Sequence, residues 1–243
     1  MDLSDLPQLA IRDVGAITDA AALSDDAAQL AADARSVSQL LSKLVQNKMF
    51  QDAVMVLANG LTKESAVLWA IKSAEQVLGK LPPEERGALS DAAQMLRGSA
   101  ATAGLSDAAA QAAALQGPGA WAKQAASWAF DRADALLGAG PAQLYPVAVE
   151  GAVKLAAALM AGDWPLAKPP ALPPPANALG SAGSTENPPG MPQPPPDLSA
   201  EDLLQAARRL NDLLGPFVKL GLAIAAGSVG ADSLPASFAA PGV

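Results

Sequence analysis

Residues 50–75 read FQDAVMVLANGLTKESAVLWAIKSAE, and this stretch decides the fold. Phe50, Ala53, Val54 and Leu57 fall at i, i+3, i+4 and i+7, the spacing of one helix face. Asn59-Gly60 predicts the end of that helix, because glycine takes left-handed backbone geometry at little cost. Thr62 predicts the N-cap of a following helix, with Glu64 in its first turn at the positive end of the helix dipole. That helix carries Val67, Ala70, Ile71, Ala74, Val77 and Leu78 on one side, until Gly79 and Pro82-Pro83 stop it.

The same pattern of helix, short break and helix extends outward. Upstream, Ser24 with Asp25-Asp26 predicts a capped start, and Leu40, Leu41, Leu44 and Val45 form an apolar stripe. Downstream, Pro82-Pro83-Glu84-Glu85 opens a helix striped by Leu89, Ala92, Ala93 and Leu96. Ser106-Asp107 opens an alanine-dominated helix, and Gly117-Pro118-Gly119 breaks it. Two more helices follow, one carrying Trp121, Ala125, Trp128, Ala129 and Leu136, the other Leu144, Ala148, Gly151, Ala152, Leu155 and Leu159. Ala148, Gly151 and Ala152 make a smooth face on which a neighbouring helix backbone is expected to lie close.

Residues 163–197 hold 12 of the 21 prolines, loosened by Gly180, Ser181, Gly183 and Ser184, and read as a polyproline-like linker. Pro192-Gln193-Pro194-Pro195 resembles a ligand for a proline-binding groove, but it lacks the flanking Arg or Lys that orients such ligands, so a spacer is expected. Ser199-Ala200-Glu201-Asp202 is a capping-box-like start. Leu203, Ala207, Leu210 and Leu214 follow as a stripe, Gly215-Pro216 predicts a break, and Phe217, Leu220 and Ile224 mark a short last helix. No strand alternation appears. The expected fold is all-α, an antiparallel helical bundle or irregular α-solenoid. Its expected parts are a flexible leader at 1–23, the bundle at 24–162, the linker at 163–197, a C-terminal helical pair at 198–231 packing back to complete the core, and a loose tail at 232–243.

Composition narrows function mainly by exclusion. The 243 residues include no Cys and no His, which removes disulfide frames, zinc fingers and any nucleophile or base of those types. Hydrophobic residues are 51%, enough for a core, but alanine alone is about a quarter of the chain and buries little area per residue. The net charge is -8 and no basic cluster exceeds Arg208-Arg209, so no nucleic-acid partner is expected. The most apolar runs, 148–162 and 217–231, are interrupted by Glu150 and Lys154 and by Lys219, so no membrane insertion is expected. The acidic start of the chain lacks the features of a secretory signal, and a cytoplasmic location is expected.

The carboxylate pairs Asp25-Asp26, Glu84-Glu85 and Glu201-Asp202 all sit at helix starts, where capping explains them better than catalysis does. Ser42-Lys43 and Lys72-Ser73 are adjacent, so their side chains diverge on a helix instead of forming a dyad. No phosphate loop or calcium loop is present. No catalytic residue, metal or cofactor is therefore assigned, and the chain is not expected to be an enzyme. Trp69, Trp121, Trp128 and Trp164 are the large anchors in a core of small residues. They are candidates either for partner binding or for filling gaps between alanine-rich helices, and gap filling is the favoured reading. Trp121 and Trp128 lie seven apart on one face, which makes them the candidate binding patch. Trp164, at the linker edge, is the candidate for docking the linker onto the bundle.

Leu57-Ala58, Leu61, Ala66, Val67 and Trp69 in the opening stretch resemble a bacterial family, the domain of unknown function 6931. So do GAWAKQAASWAF with Trp121, Ala122, Ala125 and Trp128, the run PVAVEGAVKLAAAL, and FVKLGLAIAAG with Phe217, Leu220, Gly221, Ile224, Ala225 and Gly227. The likeness spans about residues 36–227, with the proline-rich segment as its main departure. Its motifs are packing motifs, so the resemblance transfers no catalytic residue. Members tend to occur among type VI secretion gene sets. The resemblance thus implies an adaptor, chaperone or scaffold beside a contractile secretion machine, with a secretion effector, spike or adaptor protein as partner. Two alternatives belong to other classes: a carboxylate-dependent enzyme, and a helical bundle that binds a small molecule or lipid.

Overall fold

The computed structural model of the chain describes residues 5–98, 117–130, 144–162, 200–235 and 238. The expected linker, Trp164 and the helix expected from Ser106-Asp107 lie outside the described residues. The described helices are α1 (Val14–Ala20), α2 (Asp25–Ala32), α3 (Val37–Gln46), α4 (Phe50–Gly60), α5 (Lys63–Glu75), α6 (Pro83–Leu96), α7 (Pro118–Phe130), α8 (Tyr145–Ala161) and α9 (Ala200–Ala225). The fold is all-α. Among the described residues there is no strand, only an isolated bridge between Leu9 and Leu61.

Local sequence sets the helix starts. The Ser24, Ser36 and Thr62 side chains accept from the backbone N–H three residues on, at 3.2–3.3 Å. Gly162, at φ 83°, ends α8 in the left-handed conformation. Packing then assigns each helix its depth. α5 lies at the centre, against α6, α7, α8 and α9. The expected single stripe on it is widened on all sides, since Leu68, Trp69 and Ser73 are buried along with Val67, Ala70, Ile71 and Ala74. Its charged residues, Lys63, Glu64, Lys72 and Glu75, lie outside the continuous buried run 65–71, and a helix buried all round over such a run is a core helix. α4 packs on α3, α8 and α9, although only two residues join it to α5. Neighbours in sequence are thus not always neighbours in the packing.

Three expectations are corrected. The C-terminal helical pair is one helix, α9, which runs through Pro216. Proline removes one helical hydrogen bond and crowds the residue before it. Here that residue is Gly215, which has no Cβ to crowd, and Pro216 itself is exposed. The flexible leader is, over residues 5–23, part of the fold: it contains α1 and buries Leu6, Leu9, Ile17 and Ala21. Its backbone ties two distant elements together, Gln8 N–H donating to Ala225 O at 3.0 Å while Gln8 O accepts from Thr62 N–H at 2.9 Å. The sequence hid this because its apolar residues are scattered without helical or strand period, although Ile11, Val14 and Leu23 also pack against the core. The loose tail is likewise docked at 232–235 and 238, where Leu234 and Phe238 are buried.

Candidate interaction surface

The tryptophans do not gather on one surface. Trp69, in α5, is fully buried, and its Nε1 donates to Phe217 O of α9 at 2.9 Å. The indole lies where a side chain at Gly221 would sit: a Cβ there would come within 2.8 Å of Trp69 Cε2. Trp121, in α7, is buried in the same way against α8, and a Cβ on Gly151 would meet its Cε3 at 2.9 Å. The smooth face of Ala148, Gly151 and Ala152 therefore receives an indole ring where a helix backbone was expected. Trp128 is half-buried and packed on the core. The structure thus places Trp69 and Trp121 as core anchors and leaves only Trp128 of the described three partly at the surface.

The buried charged groups join elements to one another. Asp52, on α4, accepts from the backbone N–H of Ser24 at 2.8 Å and from its hydroxyl at 3.1 Å, fixing the start of α2. Glu85, on α6, does the same for α7: its two oxygens accept from Gly117 N–H and Ala120 N–H, both at 2.8 Å. The reading of Glu84-Glu85 as caps of their own helix is corrected for Glu85, whose carboxylate neutralises the positive end of another helix. Gly117 and Gly119 make room for it, since a Cβ at either would strike Glu85 at 2.3 Å. Lys123 pairs with Asp91 at 2.6 Å, linking α7 to α6.

Lys72 and Ser73 do diverge: Lys72 pairs with Glu75 at 2.8 Å, while the Ser73 hydroxyl is buried without a hydrogen-bond partner. Among the described residues no group of three or more carboxylates is placed to hold a metal ion. Burial raises the Tyr145 phenol above its ordinary 10.0, and the Glu64 carboxylate adds to the rise.

Two surface features remain. A cavity of about 230 Å³ lies where the N-terminal segment, α5, α6 and the turn after α9 meet, lined among others by Gln8, Glu64, Leu96, Ile224 and Ala231. It is smaller than the roughly 300–1,000 Å³ of ordinary small-molecule sites. The second feature is the leading end of α9. Residues 214–225 of that helix bury one face against α4, α5 and α8, but Leu204 is 61% exposed and Arg208 and Arg209 are exposed beside it. Neither arginine forms an ion pair among the described residues.

Sequence reasoning missed Glu85 as a cap for α7, and it missed Asn211. The Asn211 Oδ1 accepts from Phe50 N–H at 2.9 Å and Gln51 N–H at 3.1 Å, and its Nδ2 donates to Lys48 O at 2.7 Å. It caps α4, whose own N-cap position, Met49, supplies no side-chain bond. The available signal was negative: α4 begins after Asn47-Lys48-Met49 with no capping residue in place.

The model of the "Family of unknown function (DUF6931)" matches residues 40–168. No curated protein and no solved structure matches the chain. The matched range takes in α4 to α8 and ends before α9, so the resemblance noted at FVKLGLAIAAG falls outside it.

Proposed function

The chain belongs to this family of unknown function, and from that premise we propose that it is a non-catalytic interaction protein, an adaptor, chaperone or scaffold that engages another protein through the leading turns of α9. One observation carries the reading: Leu204 stands 61% exposed on a helix whose other half is a core element, with Arg208 one turn further along the same face. An exposed large apolar residue on a helix, flanked by guanidinium groups that form no ion pair among the described residues, suits a partner with an apolar strip and acidic edges. The buried acids support the same reading from the other side, because Asp52 and Glu85 spend their oxygens on helix N-termini. The setting beside a type VI-like contractile secretion machine, with an effector, spike or adaptor as partner, is part of the proposal and rests on the family resemblance.

The test compares wild type with Leu204→Asp. The site is exposed, so the two chains should melt within about 0.5 kcal/mol of each other. Affinity purification from the native host should recover with wild type a stoichiometric protein that Leu204→Asp loses, and the purified pair should reassemble. Recovery of the same proteins by both chains would reject this surface. Turnover of a substrate by the purified chain would reject the non-catalytic reading.

A further inference from the structure

The tail beyond α9 is held as a peptide ligand is held. Lys72 of α5 donates to Ser233 O at 2.9 Å. Arg97, at the end of α6, donates from one guanidinium nitrogen to Leu234 O at 3.1 Å and Pro235 O at 2.7 Å. Further back along α6, the Ser90 hydroxyl accepts from Phe238 N–H at 3.3 Å. Every one of these bonds goes to the backbone of the tail, which any sequence supplies. Among the described residues of the tail, the side chains that set a preference are Leu234 and Phe238, four residues apart and 7% and 1% exposed. Leu234 is extended, at φ -77° and ψ 137°, and only a single 3-10 turn, Ala231–Ser233, precedes it. The cavity described above opens at the upstream end, where Leu96 and Ala231 line it.

We infer that the surface of α5 and α6 bearing Lys72, Ser90 and Arg97 is a peptide-binding groove, occupied by the chain's own tail and able to take in its place an extended partner segment with an apolar residue and an aromatic four positions later. Main-chain bonds with two side-chain anchors are a general way of reading extended peptides. The resident tail acts as a competitor: the groove accepts a free peptide only in the fraction of molecules whose tail has left, and apparent affinity falls by that fraction. This goes beyond the reading of α9. It is measured without any partner of that helix, so the two proposals stand or fall separately.

The experiment uses the full chain and a fluorescent peptide spanning residues 229–243. By anisotropy, the Leu234→Ala/Phe238→Ala chain should bind the peptide about tenfold or more tightly than wild type does. Adding Arg97→Ala to that chain should weaken binding again, and a peptide carrying Phe238→Ala should bind neither chain. Equal affinity of wild type and the double variant would overturn the proposal. Loss of the cooperative thermal transition in the double variant would also overturn it, because the tail would then be a fixed part of the core. A wild-type dimer that forms with concentration and vanishes in the double variant would give the groove to a second copy's tail and would overturn it as well.

Discussion

At the scale of single residues, contacts close in sequence were legible and contacts across the chain were not. Tyr145 shows the second kind. It is the chain's one tyrosine, at the start of α8, and nothing near it in sequence announces a perturbed phenol. Burial is the larger cause of its raised pKa, and Glu64, brought over from α5, is the smaller. The unfolded chain loses this proton first as pH rises, while the folded chain retains it. Stability from this group is therefore whole below about pH 10 and declines above it until the folded phenol ionises too. Because no other tyrosine contributes, near-ultraviolet phenolate absorbance reads the group directly. The folded chain should titrate above the urea-unfolded chain, and Glu64→Gln should close only the lesser part of the gap. A folded midpoint at or below the unfolded one would contradict this. Ser24 and Thr62, by contrast, were legible as caps because the N–H each accepts lies three residues away. The pairing of Trp69 with Gly221 was not, although both residues stand out in sequence. No local rule says which indole needs which glycine.

At the scale of elements, the capping of α4 is the clearest case of one helix completing another. Its chain enters through Lys48 at φ 56°, a left-handed conformation unusual outside glycine, and Asn211 of α9 holds that residue's carbonyl as well as the first free N–H groups of α4. Removing such a cap costs about 1–2 kcal/mol. Asn211→Ala should therefore lower stability by about that much in urea denaturation. Asn211→Asp should cost less. It keeps the acceptor and adds negative charge at the helix N-terminus, which outweighs the lost donor to Lys48 O and the need for the second carboxylate oxygen to turn away from that carbonyl. Equal losses for the two variants would show that the Lys48 contact, and not the cap, is what matters. The existence of α4 was readable from Phe50, Ala53, Val54 and Leu57. What holds its first turn was not, because the cap sits 161 residues further on. Pro216 misled in the opposite sense. A proline after a glycine usually reads as a break, yet packing of Leu214, Phe217 and Val218 keeps the helix continuous across it.

At the scale of the whole molecule, the question is whether α9 is a companion of the bundle or part of its core. It buries Leu214, Phe217, Val218, Leu222 and Ile224, each worth about 1.5–3 kcal/mol on burial. Even discounted for a compact unfolded state, that sum rivals the roughly 5–15 kcal/mol of net stability of a typical domain. α9 also supplies the acceptor for Trp69, the cap for α4 and, through Ala225, the anchor for the N-terminal segment. A chain ending at residue 162 would leave the Trp69 indole facing water, the first turn of α4 uncapped and Gln8 N–H without its acceptor. Such a chain should lose its cooperative thermal transition, lose more helical circular dichroism than the 26 residues of α9 account for, and show red-shifted tryptophan emission. If it melted like the full chain instead, α9 would be a docked appendage, and its leading turns would have no rigid body behind them to present Leu204 to a partner.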